Sequence, residues 1–129
     1  MKIVLQCGDP TKLIWASPTT FYFPERYILH PKLRIEFIDN LIRDMYVHEI
    51  YHKDMFQDNT VYIITNAIEI IARCRVAKKE KDIEELEVEF YPFDDKLAMR
   101  NLKCYDDGKL DGNPLNFMDD YIDQITKLI

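Results

Sequence analysis

The chain begins with an unbroken apolar run, Ile3-Val4-Leu5, inside KIVLQC, and the run stops at the turn signal Gly8-Asp9-Pro10. That pattern predicts a short buried strand. LIWASPTTFYF is a second extended stretch, rich in aromatic and β-branched residues, interrupted by Pro18 and ended by Pro24. From Pro31 the period changes. Leu33, Phe37, Ile38, Leu41, Ile42 and Met45 recur at helical spacing, with Lys32, Arg34, Glu36, Arg43 and Asp44 between them. Proline suits the first turn of such a helix. If the helix continues past Met45, His48 and His52 extend its apolar face.

TVYIIT, at 60–65, is a β-rich run of the kind found in a strand covered on both faces. A helical segment NAIEIIARCRVAKK follows, apolar at Ala67, Ile70, Ile71 and Cys74. LEVEFYPF alternates with period two, MRNLKCY suits a neighbouring strand or hairpin, and DDGKLDG is a turn. Asn113 is a good N-cap with Pro114 behind it, and Leu115, Met118, Tyr121, Ile122, Ile125 and Leu128 stripe a last helix. This order predicts an α/β fold: a small mixed sheet of about four to five strands with packed helices and at least one parallel βαβ crossover. At 129 residues the chain is expected to be one domain.

Composition narrows the function. Apolar residues are 47% and charged residues 31%, the balance of a globular chain rather than a disordered one. The net charge of −6 argues against direct binding to nucleic acid or an anionic membrane, since both rest on concentrated positive charge. The exception is RCRVAKKEK, with Arg73, Arg75, Lys78 and Lys79, which reads as the solvated end of a helix. Cys7, Cys74 and Cys104 form no Cys-x-x-Cys pair, so no disulfide framework or cysteine zinc site is expected. With neither a signal peptide nor a membrane span in the pattern, a reducing cytoplasm is the expected location.

One short motif carries chemistry of its own. His48-Glu49-Ile50-Tyr51-His52 has the His-Glu-x-x-His spacing of zinc hydrolases. Two histidines four apart on a helix can share a metal, and the Glu between them can act as general base on its water. Against this, Lys53 and Asp54 follow directly, and the segment resembles the polar end of a helix running into a turn. No third ligand stands out either: His30 is far upstream, and Asp54, Asp58 and Glu69 fit no ligand spacing. A zinc-dependent hydrolase with Glu49 as base and His48 and His52 as ligands is therefore the alternative reading. The leading one expects no cofactor.

A second constellation is FYFPERYILHPKLR, at 21–34, a strand followed by Pro-Glu and by Leu-His-Pro-x-Leu opening a helix. It resembles the Walker B region of ABC-type ATPases of the RecF/SMC-like and OLD-like class. TVYIITNAIEIIARCRV and the strand after it look like that family's next strand, ending in Thr-His-Ser, and its helix. MRNLKCYDDGKLDGNPLNF is similar to the C-terminal tail of one subgroup. The likeness covers 19–129 and leaves 1–18 as a divergent N-terminal strand region.

Pro24, Glu25, Leu29, His30, Pro31 and Thr65 match the family pattern. The departures are larger. No Gly-x-x-x-x-Gly-Lys-[Ser/Thr] occurs to cradle phosphates. Tyr22 and Phe23 stand where the family has its acidic pair, and Asn66 stands where it has the switch histidine. Neither aromatic can hold Mg²⁺, and Asn66 carries no charge. The resemblance thus implies a pseudo-ATPase lobe in which Tyr22, Phe23, Glu25, His30 and Asn66 are degenerate nucleotide-site positions. It places the histidine motif in an insertion away from them. It also implies an accessory or interaction protein, with a protein partner or a second copy, of the kind that serves DNA repair, plasmid or anti-phage systems. Such a protein needs an exposed apolar strand edge or helix face.

Overall fold

The structure is a computed structural model that describes residues 1–12, 21–26, 28–51, 60–112 and 119–129. Five strands make one sheet: β1 (Lys2–Gly8), β2 (Phe21–Tyr22), β3 (Thr60–Ile64), β4 (Glu85–Tyr91) and β5 (Arg100–Lys103). Their spatial order is β2-β3-β1-β4-β5. The first four run parallel and β5 pairs antiparallel with β4, so the fold is mixed α/β. The short N-terminal run therefore becomes the central strand, hydrogen-bonded on both sides.

Register explains the burial. Ile3 lies beside Val61 and Leu86, Leu5 beside Ile63 and Val88, and Cys7 beside Phe90. With a side-chain period of two, all of these point to one face. That face carries α1 (Pro31–Tyr51) and α2 (Ile68–Lys79), which contribute Ile38, Leu41 and Met45, and Ile70, Ile71, Cys74 and Ala77, to the same buried cluster. Each parallel connection from β2 to β3 and from β3 to β4 runs through one of these helices. The opposite face alternates to Lys2, Gln6, Glu87 and Glu89, with Lys2 paired to Glu87 at 3.1 Å.

Several elements follow the pattern closely, and one position differs. The helix predicted from Pro31 starts there and runs on to Tyr51, but Leu33 is half exposed, because the helix first meets the core at Ile38. The second extended stretch is a strand only at Phe21–Tyr22 among the described residues. The predicted cap at Asn113 lies outside the described residues, and the last helix, α3, is described as Asp119–Leu128. No described helix is long and apolar enough to cross a membrane.

Candidate functional site

In open α/β sheets ligands bind beyond the carboxyl ends of the parallel strands. In this chain β1 ends there at Gly8, β3 leads into Thr65-Asn66, and β2 leads into a 3-10 turn, Pro24–Arg26, that carries Glu25. The three segments are tied into one hydrogen-bonded network.

Glu25 is its hub. One carboxylate oxygen, Oε1, accepts from the Thr65 hydroxyl, from the Asn66 amide at 2.6 Å and from the Ala67 amide at 3.0 Å. Ala67 is the N-cap of α2 and has no side chain that can cap. Glu25 thus satisfies donors that a helix start leaves open, and it sets a negative charge at the positive end of the helix dipole. The Thr65 hydroxyl adds a second acceptor for the Ala67 amide at 3.0 Å.

Asn66 turns the other way and grips β1. Its Oδ1 accepts from the Gly8 amide at 2.7 Å, and its Nδ2 donates to the Gly8 carbonyl at 2.9 Å. Gly8 has φ +105°, and a Cβ there would stand 2.0 Å from the Tyr91 carbonyl oxygen. Only glycine fits this approach. The next amide, of Asp9, donates to the same Tyr91 oxygen at 2.8 Å. The Asp9 carboxylate accepts from the Thr11 amide at 3.0 Å and hydroxyl at 2.8 Å, which holds it below the usual carboxylate range. Lys12 reaches across to the Pro92 carbonyl at 2.6 Å and to Asp95 at 3.2 Å.

Two oxygens in this region, Oε2 of Glu25 and Oε1 of Gln6, are buried without a partner. Gln6 is otherwise held through its Nε2, which donates to Glu89 at 3.0 Å. Cys7 is enclosed, and burial, with the charge of Glu25 beside it, raises its thiol far above the ordinary range. Burial pushes Cys74 up to about 12 in the same way. Neither thiol is poised as a nucleophile.

Of the residues singled out from sequence, the fold brings together Glu25, Thr65 and Asn66. It does not bring Tyr22 or His30 to them. Tyr22 faces the helices and meets Phe37 edge to face, with ring centres 5.6 Å apart, and Phe23 follows directly behind it. His30 is exposed and caps α1: its Nδ1 accepts from the Lys32 amide at 3.1 Å, and its carbonyl accepts from the Arg34 amide at 3.1 Å. His48 and Glu49 lie near the end of α1, whereas His52 lies outside the described residues. Glu69, weighed as a third zinc ligand, is bound to Arg34 instead. Among the described residues no group of three or more His, Cys, Asp and Glu could hold a metal ion.

The basic segment of α2 is tied largely into pairs. Arg73 meets Asp39 at 2.7 Å, Arg75 donates to the Gly108 carbonyl at 2.8 Å, and Lys78 meets Asp106 at 2.8 Å. The one member of the central network that sequence reading missed is Gly8. Its signal, a glycine closing an apolar run before Asp-Pro, marked a turn and gave no hint of the Asn66 clasp.

The Gly8, Asn66 and Ala67 amides are all bonded to side chains of the chain itself. An incoming anion would also meet the Glu25 carboxylate. Compared with family models, curated proteins and solved structures, the chain matches none.

Proposed function

We propose that the chain is a catalytically inactive module, similar to the C-terminal lobe of ABC-type ATPases, that acts through protein contact as an accessory or regulatory subunit. DNA repair or anti-phage defence is the setting the resemblance suggests. The observation that carries this reading is the use of Glu25 and Asn66. Glu25 keeps the place of the family's Pro-Glu, and Asn66 the place of its switch histidine. Both serve to bind the backbone of neighbouring segments, and the Glu25 carboxylate at the start of α2 opposes a phosphate there. Exposed Leu29, Phe93, Leu97 and Met99 on loops beyond β2 and β4 supply apolar surface of the kind a partner would cover.

Titration calorimetry against ATP·Mg²⁺ tests the inactive reading. A flat trace is expected, and saturable binding in the micromolar range would overturn it. The second reading, a zinc hydrolase, draws on the helix continuing through His48 and Glu49 to Tyr51, which gives the first half of the motif the backbone it needs. That reading requires stoichiometric zinc in purified protein, lost in His48→Ala. Emission spectroscopy that finds metal-free protein disposes of it.

A further inference from the structure

Between α1 and the turn that ends α2 lies a cleft of about 450 Å³, within the size range of small-molecule sites. Asp39, Ile42, Arg43 and Tyr46 line it from α1, at spacings of three, four and seven that put them on one side of the helix. Arg73, Lys81 and Asp82 form the other wall. Ile42 packs against the buried core and Tyr46 is 60% exposed, so an apolar floor adjoins an open aromatic ring.

The charged groups of this cleft are unequally committed. Arg73, whose side chain is 20% exposed, donates through Nε to Asp39 at 2.7 Å. Its terminal nitrogens stand 3.8 Å from Glu80 and 3.9 Å from Asp82, beyond hydrogen-bond reach, so the guanidinium fork keeps open donors. Arg43 donates to the neutral Asn40 at 2.7 Å, and among the described residues neither it nor the Lys81 ammonium is in salt-bridge contact with a carboxylate. The lining thus holds three cations, Arg43, Arg73 and Lys81, against two acids, Asp39 and Asp82. That is a surplus of one positive charge on a chain whose net charge is −6. Lys81 also has φ +65°, where the closure of a helix favours glycine. Strain of this kind clusters at ligand sites, where the surrounding structure holds a side chain in place.

We propose that this cleft binds a small planar carboxylate, its anionic group on the Arg73 fork and Lys81 and its ring beside Tyr46 over Ile42. Arginine holds a carboxylate through two parallel hydrogen bonds, which also fixes the plane of the ligand. Tyr46 gives that plane an aromatic partner, and Arg43 adds a second charge at the rim. A surplus of one positive charge suits a monoanion. A phosphate dianion would exceed it and would meet Asp39, Asp82 and the neighbouring Glu80 at closer charge balance. The cleft lies at the finish of α2 and the Glu25 network at its start, so this site goes beyond the interaction-module reading and does not depend on it.

Amide NMR titration of the full chain with 2-naphthoate is the test, with 2-naphthol and 2-naphthyl phosphate as companions. The carboxylate should bind with a dissociation constant of about 0.1–1 mM, what an ion pair and a ring contact supply to a ligand of this size. Its shifts should fall at 39–46, 73 and 80–82. The uncharged 2-naphthol should leave those amides unmoved, and the phosphate should bind about threefold more weakly than the carboxylate. Lys81→Gly should raise the dissociation constant about fivefold. Tyr46→Ala, at an exposed position, should raise it about threefold. A purely structural lysine would not tie binding to its side chain in this way. Shifts scattered over the surface, equal binding of 2-naphthol, tighter binding of the phosphate, or an affinity indifferent to Lys81→Gly and Tyr46→Ala would each overturn the proposal.

Discussion

The two ends of α2 are held in opposite ways. At its start, Ala67 has no cap of its own, and the acceptor comes from Glu25, 41 positions before Asn66. At its finish the backbone caps itself: the Asp82 amide donates to Ala77 at 2.9 Å and the Lys81 amide to Lys78 at 3.2 Å, a Schellman closure. The finish can form as soon as the helix does. The start exists only when β1, the turn after β2 and the turn after β3 have come together. Damage at the start should therefore spread through the sheet, whereas change at the finish should stay local.

Gly8→Ala is the hardest blow to the start. It forces a side chain into a left-handed conformation and against the Tyr91 carbonyl, so β1 must part from β4 at the residue that Asn66 grips. A loss of about 3 kcal/mol is expected, the upper end for single substitutions. Urea unfolding measures it, and a change below 1 kcal/mol would show that the clasp is not rigid. Glu25→Ala comes next. The Thr65 hydroxyl and the Asn66 amide lose their acceptor and the Ala67 amide keeps only the Thr65 hydroxyl, so about 2 kcal/mol should follow. Amide exchange distinguishes the two regions: in Glu25→Ala, protection should fall in β1 and β3 as well as in the first turn of α2. Loss confined to α2 would remove the contrast between its ends.

What could be read from sequence follows the same division. The strand at Ile3-Val4-Leu5, the helix from Pro31 and the alternating strand at 85–91 are visible because period and turn chemistry are local properties. The central place of β1 was not visible. An apolar run shows burial on both faces but does not name its neighbours, and those lie more than 50 residues away at Thr60–Ile64 and Glu85–Tyr91. In the site, Glu25 and Asn66 stood out by resemblance to a motif, yet their joint use as clasps depends on three segments meeting. The half-exposed Leu33 shows the limit of periodicity, which assigns a face but not how far along it the core extends.

At the finish of α2 the expected change runs the other way. Lys81 has φ +65°, the position where such caps favour glycine. Lys81→Gly relieves that conformation, though it also loosens the unfolded chain, and a net gain of about 0.5–1 kcal/mol is expected. Thermal unfolding reports it, with protection rising only around 76–82. A destabilised variant would mean that the lysine side chain, which borders a cleft with Arg43 and Tyr46, contributes more than its backbone costs.

The smallest effect concerns the ion pair beside that same end. The hydrogen bond from Lys78, reinforced by its charge, holds the Asp106 carboxyl below the usual carboxylate range. A depressed acid contributes stability that is present above its unfolded pKa, roughly 4, and is lost as pH falls through the lower folded value. Asp106 is exposed, so water and salt weaken the pair and only a slight change in melting temperature should accompany its protonation. A carboxyl-carbon NMR titration should place its midpoint below that of an unpaired aspartate, and Lys78→Met should return it to the ordinary range. In the Lys78→Met chain the protection of the Asn66 and Ala67 amides should not move. If it did, the two ends of α2 would be coupled through the helix, and the separation drawn between a remote cap and a local one would fail.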